Sequence, residues 1–149
     1  MLKKTLLFSL LLFIGIQFIP SEKTNPKTDP NLALKTDADI LNILESSCYD
    51  CHSHETKWPS YADIAPISFV VSAHVHDARA ALNFSLWEAL DPQIKAARLK
   101  RAIITVNNEM MALPSYRAMH AESKLTKEQK KRLTTWFEEE LKKLTLQIQ

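Results

Sequence analysis

The chain has 149 residues, enough for one compact domain with a modest hydrophobic core rather than two domains. Its single glycine, Gly15, leaves none of the glycine-containing pairs that form tight hairpins, so the composition favours an all-α fold over a sheet. With 19 Lys and Arg against 17 Asp and Glu, the net charge is +2. The sequence has no basic stripe that could bind a phosphate backbone, so nucleic acid is not an expected partner.

Residues 1–20 have the pattern of a secretory signal peptide. Two lysines precede a mostly apolar stretch from Leu6 to Ile19, which is short for a membrane-spanning helix. We therefore expect the protein to be periplasmic or secreted. The residues before Pro20 lack the small side chains that a signal peptidase prefers. The alternative is an uncleaved leader, in which residues 5–19 tether the protein to the outer face of the inner membrane.

Residues 21–34 are expected to form an exposed linker. They hold Pro26 and Pro30 among polar and charged side chains and have little to bury. The folded domain is accordingly placed at residues 35–149.

Apolar residues at intervals of three and four predict four amphipathic helices in this domain. Thr36 or Asp37 can cap the first, and Asp91 can cap the third with Pro92 at its first position. A capping box of Thr126 to Gln129 opens the last helix. The expected helices cover about 37–48, 67–82, 92–107 and the stretch from Thr126 onward.

Two irregular segments separate these helices. Prolines interrupt residues 52–66, so this segment is expected to be an ordered loop with buried aromatic side chains. Residues 107–124 are also irregular and contain three of the four methionines, Met110, Met111 and Met119.

The only two cysteines carry the chemistry. Cys48 and Cys51 stand three residues apart and His52 follows directly, which is the spacing of c-type haem attachment. Residues three apart lie on one side of a helical turn, so both thiols can reach the vinyl groups on one porphyrin edge. A neutral imidazole of His52 can then bind the iron. The motif predicts one covalently bound haem c per chain.

Other uses of the cysteines remain as alternatives. Zinc could recruit Cys48, Cys51 and two of His52, His54 and His74, although their spacing is irregular for a zinc ribbon. A disulfide or redox dithiol is the other alternative, but the βαβ context of a thioredoxin-like dithiol is missing from the pattern.

Met111 is predicted as the sixth ligand of the iron. A thioether suits haem iron and leaves no open position for a substrate. Met110 and His74 are the alternatives, the latter because it lies on the apolar face of the helix over 67–82. His54 and His120 are expected in loops. Methionine in general more often fills gaps in a core than it binds a metal.

Several polar side chains are candidates for contact with the haem propionates. Trp58 and Tyr61 can lend an N–H and an O–H, which would offset part of the cost of burying a carboxylate, and plain core packing is their alternative. Three arginines could form ion pairs with a propionate, although charged helix residues are usually solvated: Arg79, Arg98 and Arg101.

The ordered series of these segments resembles the bacterial haem-binding domain family of cytochrome c-like proteins over about residues 37–140. The resemblance implies Cys48 and Cys51 as thioether anchors, His52 as proximal ligand, and a helical fold whose first and last helices cross near the haem. Met111 stands in the family's methionine position, but Ala112 replaces the usual proline. The resemblance rests on the segments Cys48–His52, Trp58-Pro59, Ile64–Pro66, His74-Val75, Leu82–Ser85 with Trp87, and Leu113–Tyr116.

The predicted function is outer-sphere electron transfer with an unidentified redox partner protein, and not enzymatic catalysis. The iron would cycle between its ferrous and ferric states while both axial ligands stay in place. Two alternatives assume a weak or exchangeable sixth ligand: a peroxidase-like haem enzyme and a haem-based ligand sensor. No arginine and histidine pair stands out in the sequence for distal acid–base chemistry.

Overall fold

The computed structural model describes residues 1–148, which contain α-helices and 3₁₀ turns but no β-strand. The prediction of an all-α fold is confirmed. Short 3₁₀ turns cover Pro30–Leu32, Ser60–Asp63, Phe84–Ala89 and Ala121–Ser123. The helices in the described residues are α1 (Leu2–Ile16), α2 (Ala38–Ser47), α3 (Tyr49–His52), α4 (Ile67–Ala81), α5 (Pro92–Asn107), α6 (Pro114–Met119) and α7 (Lys127–Ile148).

The predicted helix starts agree with the structure. The carboxylate of Asp37 accepts hydrogen bonds from the backbone N–H groups of Asp39 and Ile40, at 3.1 and 3.0 Å, and so caps α2. The capping box before α7 is complete. The Gln129 amide oxygen accepts from the Thr126 N–H at 2.9 Å, and the Thr126 hydroxyl accepts from the Gln129 N–H at 3.1 Å.

The hydrophobic core lies between α2, α5 and α7. The contact between α5 and α7 is the most extensive between any two helices of residues 1–148, and α2 also packs on α7. This agrees with a contact between the first and last helices of the domain. The core side chains of these three helices that are at most 2% exposed are Ile40, Leu44, Leu99, Leu133 and Phe137.

The short helix α3 sits at the edge of this core. It contacts α2, α4 and the 3₁₀ turn Phe84–Ala89. Within it, the buried Tyr49 ring stacks on Phe84, with ring centroids 5.5 Å apart and an angle of 17° between the planes. The core thus fixes the helix that contains the CxxCH motif.

The N-terminal helix α1 buries no side chain. Its end is joined to the domain through Gln17, whose side chain accepts from the Ala65 N–H at 2.9 Å and donates to the Ala65 carbonyl at 3.1 Å. No helix of residues 1–148 combines the length and hydrophobicity needed to cross a membrane. The division into leader, linker and domain stays a prediction.

Helix α5 ends in a left-handed turn that leads into residues 110–119, which contain Met110, Met111 and Met119 and are called the methionine segment. Glu109 has a φ of 58°, and its N–H donates to the Val106 carbonyl at 3.1 Å. The Met110 N–H donates to the Thr105 carbonyl at 2.9 Å. These two bonds form a Schellman motif, in which the left-handed position is normally a glycine. A glutamate at this position is strained, because in the left-handed conformation its Cβ lies too close to the following carbonyl oxygen.

Replacing Glu109 with glycine should therefore raise the free energy of unfolding by about 1 kcal/mol. Glu109→Ala is the matched control, because it removes the carboxylate and its contact with Lys130 but keeps the strained backbone. Urea unfolding followed by circular dichroism measures both variants. A glycine variant no more stable than the alanine variant would contradict strain at this turn.

Candidate functional site

The backbone at the start of α3 brings the two cysteines of the motif to one side of a single turn. The Cys48 carbonyl accepts from the N–H groups of Cys51 and His52, at 3.1 and 2.9 Å. Both thiols are half-buried and are not joined in a disulfide. Burial raises the pKa of the Cys48 thiol to about 12 and that of the Cys51 thiol to about 11, with neighbouring negative charge adding to both. Thiols with pKa values raised this far are protonated near neutral pH.

His52 presents one free nitrogen. Its Nδ1 lies 2.9 Å from the Leu82 carbonyl oxygen, which can only accept, so the proton is on Nδ1 and Nε2 is left as a Lewis base. Burial lowers the pKa of His52, although backbone hydrogen bonds oppose this effect. The imidazole is consequently neutral, and it is oriented as in proteins whose histidine binds a metal.

A cavity of about 370 Å³ opens beside this imidazole. Helices α3, α4 and α5 and the segment after α5 form its walls, which are mostly apolar. It brings together the predicted Cys48, Cys51, His52 and Met111, which are up to 63 positions apart in the sequence. The remaining lining residues used below are Asp50, His74, Arg98, Arg101, Met110 and Tyr116.

All three side chains considered as sixth ligand line this cavity. Met111 is 37% exposed and Met110 is 56% exposed. His74 is exposed at the cavity edge rather than directed into the core, so its place on the predicted apolar face of α4 did not lead to burial. The choice of Met111 stays a prediction.

A second cavity of about 270 Å³ adjoins the first and shares Cys51, His74 and Tyr116 with it. Tyr61 lies here, and its hydroxyl is 2.8 Å from the His120 Nε2. Trp58 is half-buried and is not among the described residues that line either cavity. Contact of Trp58 and Tyr61 with haem stays a prediction.

The other loop histidines have structural partners. His54 accepts a hydrogen bond at Nε2 from the Asn83 amide, 2.8 Å away, and its Nδ1 is bonded to the Thr28 hydroxyl. His120 lies between the Tyr61 hydroxyl and the Glu122 carboxylate. Among residues 1–148, no group of three or more His, Cys, Asp or Glu side chains is placed to hold a metal ion.

Arg79 has a structural role that the sequence did not reveal. Its guanidinium donates to the carbonyls of Ser53 and Thr24, at 2.7 and 2.8 Å. It also donates to the side chains of Asn25 and Thr56, at 3.0 and 2.8 Å. Arg79 thereby joins Thr24 and Asn25 to the loop that follows the motif. An ion pair between Arg79 and a haem propionate stays a prediction.

Comparison with known proteins identifies the family. The model of the haem-binding domain family matches residues 11–139. This match covers most of the chain, and the chain belongs to that family. No match was found among the curated proteins or among the solved structures.

The residues around the first cavity fit a haem. The walls are apolar, a neutral imidazole offers a free nitrogen, and two protonated thiols lie within one turn of it. Two arginines, Arg98 and Arg101, add positive charge on the α5 side, where propionates could be neutralised. These side chains would together hold a haem in the cavity, and their individual roles stay predictions.

Arg79→Ala should lower the free energy of unfolding by about 2 kcal/mol, because it removes the hydrogen bonds of a charged group and leaves the Ser53 carbonyl without its partner. Arg79→Lys keeps the charge but not the planar fork, and should recover only part of the loss. Chemical denaturation of the three proteins is the measurement. Equal stability of all three would show that this network contributes nothing.

Proposed function

Because the chain is a member of the haem-binding domain family, we propose that it is a c-type cytochrome that transfers electrons in the periplasm. One haem would be held covalently by Cys48 and Cys51, each S–H adding across a vinyl double bond with no loss of atoms. The observation that supports this most strongly is the single cavity that unites both thiols with the free nitrogen of His52.

The chain's own residues perform three tasks in this proposal. His52 would bind the iron through Nε2, while the hydrogen bond to the Leu82 carbonyl fixes the orientation of the ring. The apolar walls exclude water, and the arginines of α5 balance the propionates. When bound, haem supplies one-electron exchange between its ferrous and ferric states. No bond of a substrate has to break, and the electron passes to an unidentified redox partner protein.

Met111 is the proposed sixth ligand. It is less exposed than Met110, and it occupies the methionine position that the resemblance implies. As a ligand, its thioether would raise the reduction potential relative to a second histidine. It would also leave the iron no open position for small molecules, as a carrier requires.

A second function is favoured by one specific observation. His74 and Arg101 line the same cavity, so a histidine and an arginine are both available there for acid–base chemistry. If Met111 binds weakly or not at all, a peroxidase-like enzyme or a haem-based sensor becomes the better description. The identity of the sixth ligand therefore separates the two functions.

We infer the location of the protein from its N-terminal leader, residues 1–20. The apolar side chains of α1 are exposed along the helix, as expected for a segment recognised by the export machinery or kept in a membrane. We propose export to the periplasm, with residues 5–19 acting as a tether if the leader is retained.

Covalent attachment is tested by producing the full chain in a bacterium that has haem-attachment machinery. We expect haem to stay on the polypeptide in denaturing electrophoresis and intact mass spectrometry. Cys48→Ala and Cys51→Ala should each retain one thioether bond, and the double variant should retain none. Wild-type protein without covalent haem under these conditions would disprove the c-type proposal.

The sixth ligand is tested with Met111→Ala, Met110→Ala and His74→Ala. Only the Met111 variant should lose the methionine-to-iron charge-transfer band of the ferric protein and become high-spin, since the iron then lacks its sulfur ligand. The other two variants serve as matched controls from the same cavity. Loss of the band in Met110→Ala alone would reassign the ligand, and a high-spin wild type would favour the enzyme or sensor.

A further inference from the structure

Asp50, between the two cysteines of the motif, uses both carboxylate oxygens. Oδ1 accepts from the backbone N–H of Lys57 at 2.9 Å, which folds the loop after the motif back onto α3. Oδ2 accepts from the hydroxyl of Tyr116, 66 positions later in the chain. One side chain thus joins the motif helix, the following loop and helix α6.

The Tyr116 side chain is held in place by its ring as well as by its hydroxyl. Its ring stacks on His120 with centroids 4.2 Å apart and an angle of 11°, and it lines both cavities. Burial, followed by the hydrogen bond to Asp50, raises the pKa of Tyr116, so the hydroxyl is a neutral donor to a carboxylate. Hydrogen bonds of this kind are stronger than neutral ones.

The methionine segment has few other restraints. Its upstream end is the strained turn at Glu109, which contacts Lys130 at 3.5 Å and receives a long hydrogen bond from Arg117 at 3.4 Å. Glu109 is exposed, whereas Lys130 and Arg117 are half-buried, so solvent still screens these contacts and their contribution is small. Ala112 leaves the segment without a proline. The bond from Tyr116 to Asp50 therefore stands out as its link to the motif helix.

We propose that Asp50 is a positioning residue that fixes the methionine segment against the haem motif through Tyr116. Because Tyr116 follows Met111 by five residues, holding its hydroxyl at α3 limits how far the Met111 side chain can move from the cavity. The inference rests on the proposed Met111 ligand for its effect on the iron. The connection of the segment itself is independent of that ligand.

The experiment compares haem-loaded Tyr116→Phe, Asp50→Ala and Asp50→Asn with Glu55→Gln, which removes a nearby exposed carboxylate. Added imidazole should displace the methionine from ferric iron at least about tenfold faster in Tyr116→Phe and Asp50→Ala, given the strength of a hydrogen bond to a charged group. Asp50→Asn keeps one side-chain oxygen as an acceptor, so its rate of displacement by imidazole should lie between the rates of wild type and Asp50→Ala. Glu55→Gln should match wild type.

Amide hydrogen exchange provides a second readout that does not involve the iron. Exchange over residues 110–119 should increase in Tyr116→Phe and Asp50→Ala, whereas the Lys57 amide should lose protection only in the Asp50 variants. Imidazole displacement and exchange equal to wild type in Tyr116→Phe and Asp50→Ala would overturn the inference. If wild type shows no methionine ligation, the proposed function fails at that point, and exchange over residues 110–119 alone then supports or overturns the role of Asp50.

Discussion

The site depends on the hydrogen bond between the His52 imidazole and the Leu82 carbonyl, 2.9 Å long. It fixes the proton on Nδ1 and leaves Nε2 free, and burial keeps the ring neutral. Because Leu82 directly follows α4 and His52 ends α3, the same bond joins two helices that form the cavity wall. The buried Phe84, two residues after Leu82 in the chain, stacks on the ring of Tyr49 in the motif helix.

Much of the fold could be predicted from the sequence, because helix periodicity and capping depend on residues a few positions apart. The Asp37 cap, Pro92 at the start of α5 and the capping box at Thr126 are all such local signals, and all are confirmed. The separate helix α3 was not predicted, since four residues are too few for a periodic pattern. The CxxCH spacing predicted haem, and family membership confirms haem binding.

Contacts between distant segments could not be predicted. Nothing near Asp50 in the sequence points to Tyr116, and nothing near Arg79 points to Thr24. The pattern of α4 also has limits, because apolar spacing shows which face is hydrophobic but not what covers it. Ile67 is an apolar residue of the amphipathic helix predicted over 67–82, yet it is 47% exposed at the second cavity.

We propose above all that His52 and Met111 would both bind the iron of one haem in the first cavity. The most direct measurement is the NMR spectrum of the ferrous protein with labelled methionine methyl groups. We predict one methyl resonance far upfield of the others, because a methionine bound to the iron lies in the ring current of the porphyrin. That resonance should be absent in a Met111→Leu sample. All methionine methyl groups at ordinary positions in the wild type would contradict the claim.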